Sequence, residues 1–103
     1  MLESLLDIRG VRRAALVDAS GTVLGQVGGA PDVQLVATGR AVAGSLISAL
    51  GSGELKDMLI EFEDGPVLLT SLGGRTLITS FDDVTSLGRV RFALKKLMPS
   101  LAG

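Results

Sequence analysis

Two neighbouring segments in the second half of the chain are apolar at both odd and even positions. They cover residues 66–72 and 76–81, and Gly73-Gly74 between them predicts a tight turn. A strand that is apolar at both parities is typical of a sheet covered on both faces. The chain is therefore predicted to build a sheet with helices packed against each of its faces.

Three further strand-like segments complete this sheet. Residues 58–62 precede an Asp64-Gly65 turn and form a three-stranded meander with the two apolar segments. Earlier in the chain, residues 11–17 and 22–27 flank an Asp- and Gly-containing turn and predict a β-hairpin. Together these segments predict a five-stranded antiparallel sheet.

Three helices accompany the strands. Leu2, Leu5 and Leu6 recur at helical spacing and predict a short first helix that stops at Gly10. The second helix is capped by Asp32 and ends at residues 51–53. Its predicted core stripe comprises Leu35, Val36, Val42, Ala43, Leu46, Ala49 and Leu50.

The last helix begins at Asp82 or Asp83 and has an apolar stripe of its own, comprising Val84, Leu87, Val90, Leu94 and Met98. The predicted order is helix, two strands, helix, three strands, helix. This order is typical of an α/β (α+β) domain in two or three layers. No linker, repeat or low-complexity segment interrupts it, so residues 1–103 are predicted to form a single domain.

The outer face of the second helix is unusually poor in charge. Opposite the core stripe it carries one charged residue among small and apolar ones, namely Val33, Ala37, Arg40, Ala41, Gly44 and Ser48. Small residues at a spacing of four permit close approach by another backbone. The alternative interpretation is a surface that tolerates Ala and Ser without binding anything.

Composition excludes most catalytic chemistry. The chain contains no Cys and no His, which removes thiol nucleophiles, Ser-His-Asp triads, imidazole bases and the usual zinc sites. No cofactor or metal is expected. A net charge of −1 and three Phe as the only aromatic residues make nucleic acid an unfavourable partner.

Charged residues make up 20% of the chain, against about 25% in soluble domains. We therefore expect another chain to cover part of the surface. The amino terminus carries acids where a signal peptide would carry basic residues, and the most apolar window, residues 33–50, contains Arg40, Thr38 and two glycines. These observations predict a cytoplasmic protein without membrane insertion.

Two groups of residues imitate functional motifs. Residues 39–45 have the glycine spacing of a phosphate-binding loop, but Ser45 stands where the phosphate-binding lysine should be and the segment is predicted to be helical. The acids Glu61, Glu63, Asp64, Asp82 and Asp83 fit a turn and a helix start. An enzyme acting through Glu61, Asp64 or Asp82 remains an alternative, although no constellation amounts to an active site.

The order and spacing of the segments, over nearly the whole chain, resemble the Roadblock/dynein light chain family, and most of all its prokaryotic stand-alone members. The residues that carry the resemblance are Leu5-Leu6, Gly10-Val11, Ala15-Leu16-Val17-Asp18, Gly21-Thr22-Val23-Leu24, the Ala-rich second helix, Leu59-Ile60-Glu61, Gly65-Pro66-Val67-Leu68-Leu69, Leu87-Gly88-Arg89-Val90-Arg91 and Leu94-Lys95-Lys96.

The resemblance implies a profilin-like or longin-like sandwich that forms a homodimer. Family members pair their third strands edge to edge and lay their second helices side by side. Carried onto this chain, the strand contact comprises Met58, Leu59, Ile60, Glu61 and Phe62, and the helix contact comprises Ala37, Ala41, Gly44 and Ser48.

The resemblance also implies a function, which is to bind and regulate a small Ras-like GTPase, as an activator or a scaffold, without catalysis by the module itself. The paired second helices would form the platform for the GTPase. Arg40, the only charge on the outer face of this helix, is the predicted contact together with Ala37 and Gly44, although its position matches no arginine motif of the family. An alternative is a small-molecule sensor domain, because related sandwiches include ligand binders.

Overall fold

The computed structural model describes residues 2–29, 33–51, 53 and 56–102. Its strands are β1 (Val11–Val17), β2 (Val23–Val27), β3 (Asp57–Phe62), β4 (Gly65–Leu72) and β5 (Arg75–Phe81). Its α-helices are α1 (Val33–Leu50) and α2 (Leu87–Ala102), and two 3₁₀ helices cover Leu2–Asp7 and Val84–Ser86. The predicted order of elements is confirmed, with the short first helix in 3₁₀ form. The predicted cap, Asp32, lies outside the described residues.

The five strands form one antiparallel sheet in the order β2-β1-β5-β4-β3. The two segments that are apolar at both parities become β4 and β5, which lie inside the sheet. The turn after β4 uses Gly73 at a φ of 67°, and Gly65 opens β4 at a φ of 133°. Both values lie in the region that favours glycine, so the turn residues predicted the sheet connections correctly.

Each face of the sheet carries a separate apolar core. On the first face, α2 and the Leu2–Asp7 helix pack on β1, β4 and β5 through Leu5, Val11, Ala14, Leu16, Leu68, Leu72, Leu77, Phe81, Val90 and Leu94. On the second face the buried residues are Val17, Val67, Leu69 and Ile78, with Val23, Met58 and Ile60 packed against them. The prediction that both faces of the sheet are covered is confirmed.

Helix α1 covers the second face and approaches it through a glycine. Gly39 is buried, and a Cβ added there would collide with the side chain of Leu69 on β4. Gly39 therefore lies on the side of α1 that faces the sheet. Because glycine has no side chain, the helix backbone can lie close to the sheet.

The predicted core stripe of α1 is partly wrong. Val42 is 47% exposed, Leu50 is 76% exposed, and Ala49 is exposed as well. Val42 lies about 60° round the helix from Gly39, and Leu50 is the last helical residue, so neither side chain is buried against the sheet. The side chains of Leu35, Val36, Ala43 and Leu46 lie outside the described residues.

The last helix starts later than its acids predict, because Asp83 caps the 3₁₀ helix Val84–Ser86 and α2 begins at Leu87. The Asp83 carboxylate accepts a hydrogen bond of 2.9 Å from the Thr85 backbone N–H, and this bond lowers the pKa of Asp83. Val90 and Leu94 are buried as predicted. Val84 is 39% exposed because it belongs to the preceding 3₁₀ turn, which does not continue the stripe. The side chain of Met98 lies outside the described residues.

The hydroxyl of Thr79 gives a stability test of the core. Thr79 on β5 is fully buried, and its Oγ1 has no hydrogen-bond partner among the described residues. Such a hydroxyl is desolvated without compensation. We expect Thr79→Val, which replaces the hydroxyl by a methyl of similar size, to raise the free energy of unfolding by about 1 kcal/mol. Urea unfolding at one fixed protein concentration measures this, and a lower midpoint would contradict it.

Candidate interaction surfaces

The third strand leaves one edge of the sheet open. Within the described residues, β3 pairs with β4 alone, so its other edge presents backbone N–H and C=O groups without a strand partner. Met58, Leu59 and Ile60 are half-buried, whereas Glu61 is exposed and Phe62 is 48% exposed. This edge is apolar and six residues long. Open apolar edges of this kind invite pairing with another strand.

An ion pair fixes the beginning of this edge strand. Asp57, the first residue of β3, accepts two hydrogen bonds from Arg91 of α2, from Nε at 2.9 Å and from a terminal nitrogen at 2.8 Å. The paired geometry raises the pKa of Arg91. The backbone N–H of Ser71 also donates to the Lys56 carbonyl at 2.9 Å, just before the strand begins. The beginning of β3 is therefore held by α2 through the ion pair and by β4 through the backbone hydrogen bond.

The outer face of α1 is exposed as predicted. Ala37, Arg40, Ala41, Gly44 and Ser48 are all exposed, and the side chain of Val33 lies outside the described residues. A Cβ added at Gly44 would meet no atom within 4 Å, so this face is open at its centre. No carboxylate among the described residues pairs with Arg40. The face therefore offers small side chains and one unpaired cation.

The helix face and the strand edge lie at the same end of the sheet. Gly39 places α1 over Leu69 of β4, which neighbours the edge strand β3. Met58 and Ile60 of β3 belong to the core beneath α1. The helix that carries the small residues therefore packs on β4, the strand next to the open edge.

Two of the acids considered as catalytic candidates, Asp64 and Asp82, contact Arg12. Arg12 pairs with the Asp82 carboxylate at 3.3 Å and donates to the Asp64 carbonyl at 2.7 Å, which ties the turn before β4 to the segment after β5. Glu61 and Glu63 are exposed. No group of three or more acids that could hold a metal ion occurs in the described part of the chain. Residues 39–45, which imitate a phosphate-binding loop, lie wholly inside α1.

The structure also shows a groove that was not predicted from the sequence. It has a volume of about 980 Å³ and lies on the first face, between α2 and the strands β3 and β4. Its lining comprises Lys56, Asp57, Leu68, Thr70, Ser71, Gly73, Arg91, Phe92, Leu94 and Lys95. We call it the α2 groove. The one signal for it in the sequence is Phe92, an aromatic residue outside the apolar stripe of its helix, where it is 62% exposed.

No helix in the described segments is both long and apolar enough to cross a membrane.

Comparison with known proteins agrees with this architecture. The sequence model described as the Roadblock/LC7 domain matches residues 1–80. No curated protein matches the chain in sequence. Among solved structures, MglB from Myxococcus xanthus is similar at 26% identity and a TM-score of 0.83, over 96% of this chain and 86% of that one.

Two further solved structures extend the comparison. An MglB with a tetrameric arrangement is 28% identical with a TM-score of 0.79, over 98% of this chain and 82% of that one. A chain of the LokiProfilin2/rabbit actin complex is 18% identical with a TM-score of 0.55, over 95% of this chain and 92% of that one. The last likeness concerns the fold alone and confirms the predicted profilin-like architecture.

The Asp57–Arg91 ion pair is open to a direct test. We expect Asp57→Asn to lower the free energy of unfolding by about 1 kcal/mol, because the pair has two good hydrogen bonds but is half-exposed. Glu63→Gln is the matched control, since the exposed Glu63 carboxylate is removed by the same chemical change. Urea unfolding of both variants checks this, and an equal loss in the two would contradict a specific role for Asp57.

Proposed function

Because the chain belongs to the Roadblock/LC7 domain family, we propose that it is a non-catalytic, homodimeric interaction module that binds and regulates a small Ras-like GTPase in the cytoplasm. The observation that carries the proposal is the open edge of β3, next to the strand on which α1 packs with its small-residue face exposed. The two surfaces lack partners within the described chain, and both are suited to contact another protein.

A second copy of the chain satisfies both surfaces at once. Antiparallel pairing of two β3 edges, with Met58, Leu59, Ile60, Glu61 and Phe62 in the contact, gives each free backbone group a partner and extends the sheet across a twofold axis. The two α1 helices then meet over the joined sheets. The tetrameric arrangement of a similar MglB supports self-association in this family.

Small side chains suit the helix contact. Ala37, Ala41, Gly44 and Ser48 recur at three- and four-residue spacing along the outer face of α1. Two helices whose contact residues are this small can approach to the short end of the usual range, about 8 Å between axes. A solvated helix face would carry several charges instead, and this one carries Arg40 alone.

The joined helices form the proposed platform for the GTPase. Arg40 lies about 60° round the helix from Ala37, so the small residues can face the partner helix while the guanidinium points beside the contact. Ala37 and Gly44 border Arg40 on this surface. An activator of a Ras-like GTPase acts on the switch loops or on the position of the catalytic Gln, and a scaffold only holds the GTPase.

The homodimer is tested by placing a charge in the helix contact. We expect the wild-type chain to have roughly twice the monomer mass of 10.6 kDa, and Gly44→Glu to have the monomer mass, because it puts a carboxylate between the two α1 helices. Light scattering at micromolar concentration measures the mass. Gly88→Glu is the matched control, since Gly88 is also a helical glycine with open space around its Cβ, but it lies on α2.

Two results would contradict this interface. One is a monomeric wild-type chain. The other is a Gly44→Glu variant that stays dimeric like the Gly88→Glu control. Ala41→Glu serves as the second variant, and circular dichroism establishes that each variant is folded.

GTPase binding is tested at Arg40. We expect Arg40→Glu to weaken binding of a Ras-like GTPase from the same genome by about tenfold or more, because it reverses the one charge on the platform. Calorimetric titration in the GDP and GTP states measures the affinity, and the GTP hydrolysis rate with and without the module separates activator from scaffold. Arg89→Glu on α2 makes the same charge change away from α1.

Unchanged affinity in Arg40→Glu would contradict the assigned platform. Absence of binding to every Ras-like GTPase of the genome, in both nucleotide states, would contradict the function itself.

A further inference from the structure

The α2 groove lies on the face of the sheet opposite α1 and is not part of the proposed platform. Its floor is formed by Leu68 of β4 and Leu94 of α2, which are both buried. Its rim is exposed and includes Phe92, a residue that lines the groove and is 62% exposed. Exposed aromatic residues at a groove are enriched where proteins bind other proteins.

The groove has a surplus of positive charge. Its lining contains three cations, Lys56, Arg91 and Lys95, and one acid, Asp57. Arg91 is already paired with Asp57 through two hydrogen bonds. Lys56 and Lys95 are exposed and have no carboxylate partner in the described part of the chain. The charge of the groove is therefore positive, although the whole chain has a net charge of −1.

We propose that the α2 groove docks an acidic, apolar segment of a partner protein. Carboxylates of the segment pair with the exposed Lys56 and Lys95, and its apolar side chains pack against the exposed Phe92. The exposed rim favours a peptide segment over a small molecule, because small-molecule sites enclose most of their ligand. This site goes beyond the proposed GTPase platform and uses none of its residues.

The experiment measures binding of a fluorescent peptide of alternating Glu and Leu by anisotropy. We expect the full chain to bind this peptide at low salt, and to bind a peptide of alternating Lys and Leu at least about tenfold more weakly. We expect Lys95→Glu to weaken binding of the Glu-Leu peptide by about fivefold or more, and added salt to reduce the difference. Arg89→Glu, the same charge change on the same helix, should leave binding unchanged because Arg89 does not line the groove.

A second pair of variants tests the rim without changing charge. Phe92→Ala should weaken peptide binding by about threefold or more, because it removes the exposed aromatic side chain of the groove. Leu24→Ala is its control, since Leu24 is another exposed apolar residue that does not line the groove. It should leave peptide binding unchanged.

Three outcomes would overturn the proposal. The first is equal binding of the two peptides. The second is undiminished binding of the Glu-Leu peptide in both Lys95→Glu and Phe92→Ala. The third is displacement of the peptide by free glutamate or citrate at the peptide's own concentration, which would indicate a small-anion site. The GTPase titration with Arg40→Glu tests the α1 face, and the peptide experiment tests the α2 groove on the opposite face of the sheet. A failure of one proposal is therefore distinguishable from a failure of the other.

Discussion

The double-sided burial of β4 and β5 is the constraint from which the rest of the structure follows. Thr76, Leu77, Ile78 and Thr79 are consecutive on β5 and all buried, so neither face of the sheet can face water. One long helix covers one face, and α2 with the Leu2–Asp7 helix covers the other. The described residues contain no further helix that could cover the sheet edges. The edge at β3 is therefore left open within the described residues.

The covering helices are also what create the two candidate surfaces. Gly39 brings α1 close to Leu69, and the opposite side of the helix is then directed to solvent with its small residues. On the other face, α2 is anchored at Val90 and Leu94 toward the inner strands and reaches β3 through Arg91. Between those contacts the sheet is incompletely covered, and the α2 groove lies there.

The parts of the structure that local physics decides were predictable from the sequence. Apolar residues at both odd and even positions identified β4 and β5. Gly73 and Gly65 marked turns that need positive φ. Asp83 marked the start of the 3₁₀ helix Val84–Ser86 through its carboxylate. Val42 and Leu50 were assigned wrongly because periodicity gives the direction of a side chain and says nothing of where the sheet ends beneath it. The groove could not be predicted because its lining comes from segments far apart in sequence, Lys56 and Lys95 among them, which only the tertiary fold brings together.

The Asp57–Arg91 ion pair belongs to both candidate surfaces. Asp57 begins the edge strand that the proposed dimer uses, and both residues line the groove that the proposed peptide occupies. A carboxylate of the peptide that shared Arg91 with Asp57 would loosen the attachment of β3 to α2, and pairing of β3 with a second chain would hold Asp57 in place. Two binding events that act on one ion pair are energetically coupled, and linkage requires the coupling to be reciprocal. If both proposals hold, occupancy of the groove and strength of the dimer would be coupled through this half-exposed contact, and a pair worth about 1 kcal/mol would change affinity by at most about fivefold.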